Sequence, residues 1–390
     1  METKVISPLG ANLRRLRTKH KLTQSELADQ SGLSREGYRR MEDGQVEPRL
    51  DSLRRIAGIL GVRSEELLVP VRELTAVRFR AAKRMTTRED LLAKVSRWLE
   101  DYNDLEHLVG KSPDNRLEGP SREIRAYKDR DPRIAAAIAR RALGLNERDS
   151  IRDICGLLED HGVKIYSPPL ASDGFFGLSV AAADGGPAVV VNRWERISVE
   201  RWIFTAVHEL GHLLLHLDAY DVVKTEEDEA QELEANMFAA QFLMPDELFD
   251  KEWEDARGLG LVDRVLKIKR IFHVSWKTVV HRIASRSDDS RRVWAQFYVA
   301  YKKQTGKALR GVDEPDPLGP EAFSQVFATT PIARIADEPE HLSPSDFVED
   351  RLVRLVREGM ESELLSLARG AEILDLSLKE TRALVASWSA

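Results

Sequence analysis

The 390-residue chain has one cysteine, Cys155. One thiol excludes an intrachain disulfide and any zinc site built on several thiolates. Cys155 itself reads as a core residue rather than a redox switch. No apolar run approaches the roughly 18 residues of a membrane span, and the opening METKVISPLGANLRRLR lacks the apolar core of a signal peptide. These absences predict a cytoplasmic protein with no membrane partner. There is no internal repeat and no low-complexity block. With 42% hydrophobic and 32% charged residues, the chain is not a largely disordered one. Its length exceeds what one core serves and predicts two or three domains.

The net charge of −6 conceals a polarity. Residues 1–40 hold nine Lys/Arg against four acids, so the remaining 350 residues carry −11. A basic head on an acidic body points to a local nucleic-acid contact. Residues 9–68 read as five short helices. Leu9, Leu13 and Leu16 give the first an apolar stripe, and Thr23-Gln-Ser-Glu26 is a capping box opening the second. Gly32-Leu33-Ser34 is a tight turn, Ser34 caps a third helix to about Met41, and Gly44 stops it. Helix, glycine turn and helix make a helix-turn-helix. Its second helix brings Ser34, Arg35, Tyr38 and Arg39 toward base edges, with Gln24 and Arg40 near phosphates. A helical protein-binding module with a solvated basic face is the competing reading.

Residues 71–110 read as helical, and Lys111–Pro120 is turn-rich enough for a linker. Helices follow at about 121–143 and 147–161. The period then changes: 163–166, 175–180 and 188–191 read as three strands, with a hairpin at Asp184-Gly185-Gly186 between the last two. A long apolar helix covers about 199–217. Residues 218–234 hold eight acids and one lysine, read as a surface loop, alternatively a gate, leading into a second helix from about Glu229 to Leu243. From 250 onward the chain reads as helices and loops, one of them the polar stretch 306–320. Residues 367–382 read as a helical hairpin, or a second helix-turn-helix. The expected fold is α+β and mostly helical. Its parts are a helix-turn-helix head (1–70), a helical connector and linker (71–120), a domain with a three-stranded sheet (121–300) and a helical C-terminal region (301–390).

Val207-His208-Glu209-Leu210-Gly211-His212 carries the most chemistry. Histidines at i and i+4 share one helix face and can converge on one tetrahedral ion. The glutamate between them is placed to take a proton from a metal-activated water. Two histidines and a glutamate in so apolar a helix are costly unless something satisfies them. Leu215 and Asp218 stand where a metzincin has glycine and histidine, which leaves a glutamate of the following helix as third ligand. Glu229, Glu232 and Glu234 are the candidates. Glu234 begins the side carrying Phe238 and Phe242 and is the preferred one, with Glu232 as the alternative. His216, one turn beyond His212, reads as a structural histidine, a ligand or a substrate contact, and Trp202 as core.

Two resemblances rest on these residues. LRRLRTKHKLTQSELADQSGLSREGYRRMEDG and LRRIAGILGV resemble the lambda-repressor-like helix-turn-helix of the XRE family. FTAVHELGHLLLH, ELEANMFAAQFLMP and FHVSWKTVVHRI, within about 150–285, resemble the ImmA/IrrE metallopeptidases. The second resemblance implies a zinc-dependent endopeptidase that cuts a DNA-binding repressor to derepress stress or mobile-element genes. His208, His212 and Glu234 are then the Zn2+ ligands and Glu209 the general base. The implied partners are a double-stranded DNA operator, bound as a homodimer, and a protein substrate, either a separate repressor or this chain itself at 111–120. The alternative function is a non-proteolytic regulator or antitoxin whose peptidase-like domain senses a ligand or partner.

Overall fold

The computed structural model describes residues 8–20, 22–68, 74–79, 88–113, 116–127, 131–172, 174–221, 228–310, 314 and 342–388. The chain divides into two compact units, Met1–Leu74 with Lys83–Asp104, and Thr75–Ala82 with Leu105–Ala390.

The first unit opens with α1 (Pro8–Lys19), α2 (Gln24–Ser31), α3 (Arg35–Glu42), α4 (Leu50–Ile59) and a 3-10 turn (Ser64–Leu67). The local signals act as the sequence predicts. Thr23 and Glu26 form the reciprocal capping box of α2, and Ser34 caps α3 through the Gly37 amide. Gly32 ends α2 at φ 68°, a left-handed conformation that favours glycine. Leu13, Leu27, Tyr38, Ile56 and Leu67 form the core. Beneath it lies Glu42, 1% exposed. It accepts two hydrogen bonds from Arg17 at 2.8 and 2.9 Å and one from Gln24 at 3.1 Å. Burial opposes its charge, but the Arg17 guanidinium holds its carboxyl below the usual range.

The second unit holds β1 (Val77–Arg78), β2 (Lys164–Tyr166), β3 (Gly177–Val180) and β4 (Ala188–Val191) in the sheet order β1-β3-β4-β2. The expected β3–β4 hairpin is present, antiparallel, with Gly177 opposite Val191. Gly185, at φ 93°, closes the turn. A fourth strand joins the three read from the sequence. β1 lies within the stretch read as helical and pairs antiparallel with β3, Val77 opposite Val180 and Arg78 opposite Ser179. Two residues are too few to show an alternating pattern, and a partner over 100 positions away makes the strand. The helix read for 71–110 is α5 (Arg88–Leu108). Residues 71–73, 80–87, 114, 115 and 222–227 lie outside the described set, as do most of 311–341; these take in parts of the connector, the acidic run and the polar stretch.

Against the sheet pack α8 (Ile154–Glu159) and α9 (Val199–Leu215), and on α9 pack α6 (Glu118–Ala126), α7 (Pro132–Ala142) and α10 (Glu229–Leu243). Then follow α11 (Asp246–Asp255), α12 (Leu261–Phe272), α13 (Trp276–Ser285), α14 (Ser290–Thr305) and the C-terminal α15 (Arg351–Glu361), α16 (Leu367–Ile373) and α17 (Leu378–Ser387). Cys155 and Trp202 are core residues. α9 is buried on most sides, as its composition predicts. Two glycines set its distance from its neighbours. A Cβ on Gly211 would stand 2.9 Å from the Phe238 ring of α10, and one on Gly177 would stand 2.6 Å from Thr205 of α9. Bare backbone at both places brings α10 and β3 onto the histidine helix.

Among the described residues, no helix is long and apolar enough to cross a membrane.

Candidate metal centre and nucleic-acid interface

α9 presents His208, Glu209 and His212, and α10 presents the carboxylate that meets them. The Nε2 atoms of His208 and His212 are 3.0 Å apart. Glu232 Oε2 lies 3.2 Å from His208 Nε2, and its Oε1 lies 3.3 Å from His212 Nε2. A tetrahedral ion with bonds of about 2.0–2.1 Å separates its donors by roughly 3.3 Å. His208, His212 and Glu232 are therefore spaced to hold a metal ion.

The surroundings set which ring nitrogens are free. His208 Nδ1 donates to Asn236 Oδ1 at 3.0 Å, which leaves its Nε2 a lone pair. His216 Nε2 is 2.7 Å from Glu234 Oε2. A carboxylate only accepts, so this nitrogen is the donor. His216 Nδ1 is then an acceptor, and it accepts a hydrogen bond from His212 Nδ1–H at 2.8 Å. His212 Nε2 is left with a lone pair as well. Two lone pairs facing each other at 3.0 Å satisfy nothing between themselves; a cation satisfies both. Burial lowers the pKa of His212 and of His216, Glu232 and Glu234 respectively opposing the shift, and both stay neutral as ligand chemistry requires. Burial also works against the charge on Glu232. The Arg78 guanidinium, which donates to its Oε1 at 2.8 Å, favours that charge.

The structure therefore brings Glu232 to the histidine pair and sets Glu234, the preferred third ligand of the sequence reading, one turn further along α9. The extra histidine is the reason. His216 continues the 208–212 face by another turn, is 6% exposed, and takes Glu234 as its own partner. The Phe238/Phe242 side is no guide to the ligand, because α10 packs on α7 as well as on α9.

Glu209 is buried beside this cluster. Its Oε2 accepts from Ser179 Oγ at 2.7 Å, and Ser179 Oγ accepts in turn from the Tyr220 hydroxyl at 2.7 Å. Burial raises the Glu209 pKa, against the pull of His208 and Ser179. Sequence reasoning passed over Arg78. It is 3% exposed and donates to Glu232 Oε1 at 2.8 Å and Gln231 Oε1 at 2.6 Å. An arginine two residues into an unrecognised strand gives no signal of its own.

In the head, Arg35 and Arg40 are exposed and without a carboxylate partner among the described residues. Arg39 is exposed but held by Glu36 at 2.6 Å and Asp43 at 3.3 Å. Ser34 is exposed at the start of α3, its oxygen engaged as the cap. Gln24, half-buried, is bonded to Glu42. Tyr38 departs from the expectation: it is 0% exposed, part of the core rather than of the base-reading face. The helical period explains this, since Tyr38 and Met41 share the inward stripe of α3.

Comparison with known proteins matches residues 158–284 to the IrrE N-terminal-like domain model of the peptidase M78 family and residues 13–67 to a helix-turn-helix model. A curated relative is the SPbeta prophage-derived uncharacterized HTH-type transcriptional regulator YonR of Bacillus subtilis (strain 168). It is 39% identical over 59 residues, 15% of this chain and 55% of that protein. The crystal structure of ComR from Streptococcus suis aligns over 97% of this chain and 95% of its own at 12% identity, but a TM-score of 0.16 supports no argument from its fold. The chain joins an XRE-type helix-turn-helix domain to an IrrE/ImmA-like domain of the peptidase M78 kind.

Proposed function

We propose that this chain is a DNA-binding zinc metallopeptidase that regulates transcription, with His208, His212 and Glu232 as metal ligands and Glu209 as general base. The observation that carries the reading is the convergence of two histidine lone pairs and one carboxylate beside a buried glutamate of raised pKa. Bound zinc would supply the acidity of a water and the polarisation of a peptide carbonyl. Glu209 supplies the proton acceptor. Its Oε2 is occupied by Ser179, so Oε1 is the atom that takes the proton. A carboxylate whose pKa is raised by burial is a stronger proton acceptor than an ordinary one. Asn236, and His216 backed by Glu234, keep the imidazoles turned with Nε2 toward the metal.

The substrate we infer is a DNA-binding repressor, or this chain itself. The head, through Arg35 and Arg40, would hold the chain as a dimer on a short, roughly palindromic operator. The test is a time course with purified chain and candidate repressors. Wild type cleaves in a zinc-dependent way, whereas Glu209→Gln keeps its zinc and is slower by about 10² to 10⁴. Loss of zinc in that variant undoes the role of Glu209. Normal induction in cells carrying it, with no cleaved protein in either strain, replaces the peptidase with a sensor that regulates without hydrolysis.

A further inference from the structure

β1 is an edge strand made by a segment remote from the rest of its sheet, and it is firmly seated. Val77 is 0% and Phe79 3% exposed, and the Phe79 ring stacks on Phe175 with centroids 5.4 Å apart. The Asp184 carboxylate accepts the backbone amides of Thr75 at 2.5 Å and Ala76 at 2.6 Å, and Ala76 O accepts from Ala181 N at 3.0 Å. Most of these contacts hold backbone, so they would hold other extended sequences too.

Register then decides what such a segment meets. Residues directly opposite in a sheet share a face. Arg78 stands opposite Ser179, whose hydroxyl holds Glu209, and Arg78 itself reaches Glu232. Val77 and Phe79 point to the other face. A backbone laid on the outer edge of β3 is thereby carried past the base and the carboxylate of the metal cluster. A cavity of about 940 Å3 nearby is lined by Phe204, Leu233 and Asn236 but by none of His208, Glu209, His212 or Glu232.

We propose that the outer edge of β3 is the peptide-binding edge of the metallopeptidase-like domain, and that Thr75–Phe79 of this same chain is its resident occupant. The ligand class is an extended peptide added as a strand, with apolar residues flanking a cationic one that reaches Gln231 and Glu232. An incoming peptide competes with a segment of the same chain, which acts at a high effective concentration. This proposal deepens the peptidase reading, and it is tested by binding alone so that the two can fail separately.

The probe is a dye-labelled peptide carrying residues 73–80, ELTAVRFR, followed by fluorescence anisotropy against the full chain. All proteins carry Glu209→Gln to prevent turnover. A chain with Val77→Asp and Arg78→Glu, its own segment unseated, should bind the probe at least tenfold more tightly than a chain with the native segment. Adding Asp184→Ala to it should abolish the gain, and a probe with glutamate at the Arg78 position should bind at least tenfold more weakly. Phe79→Ala, which removes only the stacked ring, should shift affinity the same way by a smaller factor, and it decides the matter if circular dichroism shows the double variant unfolded. Equal affinity for chains with and without the native segment, or indifference to the arginine, overturns the proposal. Tight, arginine-dependent binding with no hydrolysis by the Glu209 chain sinks the peptidase reading and leaves the docking edge standing.

Discussion

If Glu232 is a ligand and Glu234 a partner of His216, the two glutamates differ in a measurable way. Glu232→Ala removes one of three donors. Glu234→Ala removes only the acceptor behind His216, and Glu234 is 44% exposed, so water can take its place. His216→Phe is more severe than the latter, because His216 is 6% exposed and the Nδ1–H of His212 then loses its acceptor in a dry site. Loss of a partner of this kind commonly lowers metal affinity about 10- to 100-fold, equivalent to about 1.4 to 2.7 kcal/mol. His216→Phe should fall in that range and Glu234→Ala at or below its lower end. Glu234→Gln, whose amide oxygen still accepts from His216, should restore nearly all of the affinity. Glu232→Ala should lose more than any of them. Competition of the purified proteins against a fluorescent zinc chelator reads all four. A Glu234→Ala chain that binds zinc more weakly than Glu232→Ala would return Glu234 to the metal and refute the tautomer chain derived from the geometry.

Four other outcomes follow from the same structure. Removing the buried Glu42 leaves Arg17 without its charge partner, a loss of about 3 kcal/mol at the lower end of what breaking such a pair costs. Amides of 9–67 in Glu42→Ala should then exchange more than 100-fold faster by hydrogen–deuterium exchange, and unchanged protection would show the pair to be idle. Burial raises the Glu159 pKa from 4.5 to about 8, against the Arg351 and Asp350 amides that its carboxylate accepts. The folded state thus prefers the protonated form: the stability is complete below the unfolded pKa and is lost as pH rises through the folded one. Chemical denaturation from pH 5 to 9 should show wild type losing stability relative to Glu159→Gln, and parallel curves would refute the shift. Arg35→Ala and Arg40→Ala should weaken operator binding in gel-shift titrations while leaving the melting of the head unchanged. Tyr38→Ala should lose binding by unfolding it, at a cost of about 3 to 5 kcal/mol; an intact head in that variant would contradict its place in the core.

The local signals in the sequence were the legible ones. Capping box, glycine turn and apolar stripe are each written within a few residues, so α2, α3 and their turn follow from the text. The His208–Glu209–His212 face is equally local, fixed by the helical period. Pairings across distant parts of the chain were not legible. β1 is a strand only because β3 lies beside it, and Arg78 joins the site only through that pairing. Tyr38 reads as base-facing if its chemistry is weighed and as core if its period is; the period prevails because burying the ring is worth more than one contact at the surface. Which of Glu232 and Glu234 lies at the His208–His212 pair depends on His216, whose own partner is set only once α10 is placed.

The ion pairs of the head change what a DNA molecule meets. Residues 1–40 contain six arginines. Arg14 and Arg17 lie on Glu42, Arg15 on Asp90, and Arg39 on Glu36 and Asp43. Arg35 and Arg40 are left to displace counterions from the phosphates. At about 0.9 ion released per neutralised phosphate, the arginines of residues 1–40 contribute about 2 to the slope of log affinity against log salt, where their bare count suggests about 5. Binding by such a head is less sensitive to ionic strength than its composition implies. Its operator affinity would persist across salt changes that strip a uniformly basic domain from DNA.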